Sequence, residues 1–200
     1  MPAMRIHRAV TVIALGLVVA IALHAQTSPQ APQQITPTPT PSPVTTETQP
    51  GFIVVGLSVR TTNQAEGGGN GLIPPMWQRA MQLGSRESIP HRADNNITVV
   101  YTDYASDHNG EYTYVLGVRV SAVDKVPDGM VTVNVPVGKY AVVQSDQGSL
   151  PEVMPRVWQR INTMPAAELG GQRAYKADFE VYPESFDWQN AQIPVYLGLK

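Results

Sequence analysis

The chain has 200 residues, with 14 Lys+Arg against 16 Asp+Glu, a formal net charge of −2 and no cysteine. The missing cysteines exclude disulfides, thiolate metal sites, a cysteine nucleophile and a lipidated cysteine. The mild acidity argues against a nucleic-acid module, since duplex binding draws its affinity from clustered Lys and Arg. His7 and His24 lie near the N-terminus, so only His91 and His108 are available to the rest of the chain. No metal and no cofactor is expected.

Arg5 and Arg8 precede an apolar run, Ala9–Leu23, of 15 residues. That is short of the ~20 needed to span a bilayer and matches the core of a secretory signal. Ala20-Ile21-Ala22 and Leu23-His24-Ala25 are candidate cleavage sites. Residues 1–25 are therefore expected to be a signal peptide, with a membrane anchor as the alternative if the leader is uncleaved. Gln26–Pro50 holds seven prolines in 25 residues, alternating with Thr, Ser and Gln. Too little apolar surface is present to offset ordering entropy, so residues 26–50 are expected to form a disordered spacer. Residues 51–200 then form one domain, long enough to bury roughly two-thirds of its unfolded surface.

Gly51–Arg60 is β-rich and predicts a strand. Residues 74–84 open on Pro74-Pro75, tolerated in a first helical turn, and carry Met76, Trp77, Ala80, Met81 and Leu83 at helical spacing. Ile97–Tyr104 and Tyr112–Val120 predict a hairpin with Asn109-Gly110 in its turn. Met130–Val135 and Gly138–Ser145 predict two more strands. Leu150, Val153, Met154, Val157, Trp158 and Ile161 form one apolar stripe of a second helix. Tyr175–Tyr182 and Ile193–Leu199 close the chain as strands.

These elements repeat. Trp77-Gln78-Arg79 recurs as Trp158-Gln159-Arg160, an offset of 81 residues, and Val100-Tyr101, Asn109 and Leu116-Gly117 recur in the same register. The chain therefore holds two strand–helix–strand–strand units, about 51–121 and 129–200. The predicted fold is α+β: a curved, mainly antiparallel sheet, two helices on one face and a pseudo-twofold between the units.

Familiar chemical motifs fail on inspection. Glu66–Gly71 is glycine-rich but lacks the Lys-Ser/Thr of a phosphate loop. Asp107–Gly110 starts like a calcium loop, yet its twelfth position is Val118. No Gly-x-Ser-x-Gly elbow occurs. What remains is an aromatic and acidic set. In Asp178-Phe179-Glu180-Val181-Tyr182, alternation puts Asp178, Glu180 and Tyr182 on one face. The repeat register makes Val99 and Tyr101 the counterparts of Glu180 and Tyr182. A lone carboxylate between paired tyrosines suits an organic cation, with ring faces adding about 0.5–2 kcal/mol each. A solvated glutamate beside two amphipathic tyrosines, and core packing of Trp77 and Trp158, are the plainer alternatives.

The order of Phe52–Leu57, Val100–Tyr104, Val135–Val142, Asp178–Tyr182 and Ile193–Lys200 resembles the GyrI-like small-molecule-binding domains. These also occur as effector-binding domains of AraC- and MerR-type regulators and as stand-alone integron-cassette proteins. The resemblance covers Gly51–Lys200. It implies a pocket between the units for aromatic or cationic compounds, with Glu180 as the ligand-contacting glutamate. Trp77, Tyr101, Tyr140, Trp158 and Tyr182 are the implied pocket aromatics. The expected protein is an exported small-molecule binder with no nucleic-acid partner. The alternative is a hydrolase of a reactive small molecule with Glu180 as general base. A tetrapyrrole site is disfavoured by the few histidines.

Overall fold

The computed structural model describes residues 42–200. The expected signal peptide and the expected spacer as far as residue 41 lie outside the described residues. The elements in chain order are β1 (Thr45–Gln49), β2 (Phe52–Thr62), α1 (Asn63–Gly67), α2 (Ile73–Gln82), β3 (Ile97–Thr102) and β4 (Glu111–Val120). There follow β5 (Val131–Val135), β6 (Gly138–Gln144), α3 (Leu150–Thr163), α4 (Ala166–Leu169), β7 (Arg173–Tyr182) and β8 (Pro194–Leu199). All eight strands join one sheet in the order β1-β6-β8-β7-β3-β4-β2-β5, and every pairing is antiparallel.

The duplication is built into that order. Exchanging β1–β4 for β5–β8, each for its counterpart, reverses the order and leaves it otherwise unchanged. Trp77 and Trp158 sit on α2 and α3, and Tyr101 and Tyr182 on β3 and β7, which pair at the centre of the sheet. Val99 faces Glu180 directly in that ladder. These two residues are also equivalents at the 81-residue offset, so the pseudo-twofold passes between them.

One expected boundary is corrected. The domain starts at Thr45 rather than Gly51, because Thr45–Gln49 pair with residues 138–142 of β6. β1 is the counterpart of β5. Each runs through a two-residue proline connector, Pro50-Gly51 or Pro136-Val137, into its next strand. Each also pairs across the dyad, β1 with β6 and β5 with β2. β1 is exposed along nearly its whole length, so no apolar alternation marks it and backbone ladder bonds hold it in place.

The same connectors bend the sheet. In a flat sheet β5 and β6 would lie roughly 28–30 Å apart. Two connecting residues at roughly 3.5 Å each cannot cover that distance. The sheet's ends therefore curl toward each other, and Gly51 comes to rest against the Val137 backbone. Inside the curl lie Val54, Val100, Val115, Val135, Tyr140, Ala177 and Phe179, all buried. Gly56 and Gly117 face each other across β2 and β4, and any Cβ on either would run into the opposing backbone.

The helices cover the other face. α3 buries Leu150, Val153, Val157 and Ile161. Val157 and Ile161 pack with Ala141, Val143, Val195 and Leu197, and Leu150 and Val153 join the cluster of Val99, Tyr101, Tyr114 and Tyr182. α2 buries Met76 alone, and its cap is unusual. Leu72, its N-cap residue, makes no side-chain cap bond, and Glu66 from α1 supplies the acceptor instead. Glu66 takes the Leu72 amide at 2.9 Å and the Ile73 amide at 3.2 Å, and Thr61 Oγ1 donates to it at 2.6 Å. A carboxylate there satisfies otherwise orphaned amides and complements the helix dipole.

Candidate functional site

Strand alternation carries Val99, Tyr101, Glu180 and Tyr182 to the helix-bearing face, where they join Tyr112, Tyr114 and Leu116 of β4. Glu180 is 1 % exposed. Its carboxylate accepts three hydrogen bonds. Tyr101 Oη and Trp158 Nε1 donate to Oε1 at 2.8 and 2.6 Å, and Tyr182 Oη donates to Oε2 at 2.6 Å. Every donor is a neutral group on an aromatic side chain.

Burial raises the Glu180 carboxyl above its ordinary range, and the bonds from Tyr182, Trp158 and Tyr101 oppose that shift. Burial and the neighbouring Glu180 charge push the hydroxyls of Tyr101, Tyr114 and Tyr182 well above their ordinary value. The tyrosines therefore stay protonated and act as donors. A carboxylate offers about four lone-pair sites, of which three are taken.

The aromatic set is continuous. Tyr101 packs on Trp158 at 4.6 Å and edge-on to Tyr114 at 5.1 Å. Trp77 meets Tyr182 at 5.1 Å and Trp188 at 5.4 Å, both edge-to-face. Trp77 Nε1 donates to Tyr114 Oη at 2.8 Å. These side chains open on a cavity of about 720 Å³ between α2 and the start of α3. Its floor includes Glu180 and the tyrosines, and Ile73, Pro74, Leu150, Pro151 and Met154 form its apolar walls.

Of the six predicted site residues, the structure brings Glu180, Tyr182, Trp77 and Tyr101 to this cavity. Trp158 stands behind it as a donor to Glu180. Tyr140 is a correction. It lies inside the curl on the opposite face, against Phe179 at 5.3 Å, with its hydroxyl bonded to the Pro136 carbonyl at 2.9 Å. On β6 the alternation gives Ala141 and Val143 to the helices, so Tyr140 has to face the other way.

Sequence reading passed over Tyr114 and Trp188. Tyr114 was within reach, since Tyr112, Tyr114 and Leu116 alternate on one strand. Trp188 sits in the irregular β7–β8 loop, where no period places it. A second buried charge was also missed. Asp178, 0 % exposed, holds Arg173 Nη2 at 2.5 Å and accepts from Tyr104 Oη at 2.7 Å and the Gly198 amide at 2.9 Å. A bulge between Arg173 and Asp178 puts both members on the same side of β7.

A duplicated strand–helix–strand–strand sheet, with a buried carboxylate at its dyad and an aromatic cavity above it, defines the class of GyrI-like effector-binding domains. Residues 45–199 match the family model described as integron-associated effector binding protein, and the chain belongs to that family. It is 29 % identical over 147 residues to the Bacillus subtilis (strain 168) protein YobU, covering 72 % of this chain and 90 % of YobU. The fold is shared with the integron cassette protein VCH_CASS2 of Vibrio cholerae (TM-score 0.62, 23 % identity, 79 % of this chain and 96 % of that one). It is also shared with SAV2435, solved bound to tetraphenylphosphonium (TM-score 0.64, 14 % identity, 80 % and 94 %).

Proposed function

We propose that this protein is an exported binder of hydrophobic organic cations, taken up in the cavity between α2 and α3 with Glu180 as counter-ion. One observation carries the reading. Glu180 is an ionisable group buried beneath an apolar cavity, and none of its three hydrogen-bond donors is charged. An isolated buried carboxylate is costly. Arg173, a guanidinium on the same strand, is committed to Asp178. A bound cation would neutralise Glu180, and the surrounding ring faces would add cation–π attraction. Three lone-pair sites are already filled, which suits a cation without N–H donors. The same bonds leave Glu180 about one lone-pair site, little room to hold and activate a water as a general base.

The tetraphenylphosphonium bound by SAV2435 supports this ligand class. The leader sequence supports export, and the acidic composition supports a function without a nucleic-acid partner.

Intrinsic fluorescence makes a direct test. The chain has three tryptophans. Trp77 and Trp188 line the cavity and Trp158 bonds to its floor. Tetraphenylphosphonium should quench wild-type emission saturably, and a neutral triaryl compound of similar size should bind more weakly. Glu180→Gln should remove most of that difference. Equal affinity for the two compounds in the wild type would overturn the counter-ion role. Recovery of an intact Met1 on a cytosolic form would overturn export.

A further inference from the structure

Beyond Trp77 lies a second cleft, of about 330 Å³, that shares Trp77, Met81 and Trp188 with the Glu180 cavity. Ile97 and Leu116 of the sheet and Phe186 of the β7–β8 loop supply its apolar lining. The edge-to-face Trp77–Trp188 pair, with ring planes at 84°, forms the wall common to both. Phe186 packs on Trp188 at 5.2 Å. Trp188 is anchored through its carbonyl, which accepts the Leu150 amide at 3.0 Å, so this wall is tied to the start of α3.

The charged residues lining this cleft are Arg86, Glu87 and Glu184. Arg86 is paired with Glu87 at 2.8 Å. Glu184 accepts from the neutral Asn95 amide at 3.1 Å and forms no ion pair among the described residues. Ser85 in the same lining is 7 % exposed, and its Oγ has no hydrogen-bond partner among the described residues. An aromatic cleft with one surplus negative charge and one unspent hydroxyl is built for a polar, positively charged group.

We propose that this cleft is a second subsite of the same ligand site, and that the preferred ligands are bis-cations. One cationic head lies over Glu180. A hydrophobic spacer passes the Trp77–Trp188 wall, and a smaller second head is counter-ioned by Glu184. The inference rests on the Glu180 reading and adds a ligand class to it.

The test compares two probes on the full chain by fluorescence or calorimetry. Both carry a triphenylphosphonium head and an alkyl spacer of graded length. One ends in trimethylammonium, the other in the isosteric neutral tert-butyl group. The bis-cation should bind about 2- to 5-fold tighter, the range of a single solvent-accessible ion pair, at one optimal spacer length. High salt should reduce the advantage. In Glu184→Gln the ratio between the probes should fall to one. In Glu180→Gln both probes should weaken while the ratio persists. Equal affinities in the wild type, or a ratio that survives Glu184→Gln, overturn the second subsite and leave the Glu180 reading standing. Failure of both probes to bind overturns both.

Discussion

Strands β3 and β7 are neighbours in the sheet and equivalents in the repeat, yet they carry different chemistry on the helix-bearing face. Where β3 has Ile97 and Val99, β7 has Asp178 and Glu180. Around them the two copies agree: each strand ends its pattern on a tyrosine and each opposing helix offers a tryptophan. Glu180 recruits three of these four aromatic donors, Tyr101, Tyr182 and Trp158. The fourth, Trp77, turns to Tyr114, whose counterpart in the second unit is Val195. Arg173 is likewise matched by Arg92. Arg92 donates to the carbonyls of Arg86, Glu87 and Ile89, while Arg173 is drawn to Asp178. Duplication supplies a symmetric frame of rings, and two acidic residues on one copy break the symmetry.

Copying the β3 residues onto β7 tests that account. The largest effect is expected for Asp178→Ile, which copies Ile97. It leaves Arg173, whose side chain is 5 % exposed, without its carboxylate. Orphaning one member of a buried pair costs about 3–5 kcal/mol, and thermal melting should fall by roughly 6–20 °C. A drop of only a degree or two would show that Arg173 finds another partner.

Next in size is Glu180→Gln, which keeps the shape and removes the charge. Affinity for tetraphenylphosphonium should fall about 5- to 150-fold, the buried-pair cost discounted for a partly open cavity. The pH dependence has a definite sign. Burial raises Glu180 above its ordinary value of 4.5, so the folded protein holds the proton more tightly than the unfolded chain does. The stability this contributes is full below about pH 4.5 and is lost as pH rises to the folded pKa. Cation affinity moves the other way and climbs through the same window, because the carboxylate ionises there. Titrating affinity against pH should show this rise in the wild type and a flat line in Glu180→Gln.

A smaller contrast separates the paired tyrosines. Tyr182 is the donor to Oε2, whereas Tyr101 shares Oε1 with Trp158. Hydrogen bonds to a charged group are worth about 1.5–3 kcal/mol. Tyr182→Phe should therefore shift the midpoint of the affinity–pH curve upward by more than Tyr101→Phe does. Equal shifts would mean that the carboxylate rotates to share its remaining donors.

The smallest expected effect concerns the helices. α3 buries four side chains and α2 one, so α2 depends more on its end. Glu66→Ala should cost about 1 kcal/mol, the value of a lost cap. Amide exchange at Leu72 and Ile73 should speed up, while α3 stays unchanged. Protection that persists at both amides would show that another group caps α2.

Much of this was legible from sequence because it rests on local periodicity. Alternation along Asp178–Tyr182 is a property of any strand, and it placed Glu180 beside Tyr182. The apolar stripe from Leu150 to Ile161 is a property of any half-buried helix. The 81-residue offset then carried Tyr101 and Trp77 to matching places, since a duplicated sequence folds into duplicated elements. β1 escaped because an edge strand exposed along most of its length needs no apolar residues. Only its symmetry with β5, and a ladder to β6 some ninety residues away, give it a place. Tyr140 was misplaced for a related reason: a motif names a residue, but strand parity decides its face, and a one-residue change of register inverts it.

The amino-acid sequence by itself determined the repeat, the element types and the aromatic company of Glu180, because these follow from spacings along the chain. Tertiary structure alone decided which groups met. The loop that carries Trp188 to Trp77 and the curl that encloses Tyr140 bring distant segments together, and the bulge that joins Arg173 to Asp178 arises where β7 pairs with β8. Backbone geometry and the closing of the sheet set them, and no local period encodes either.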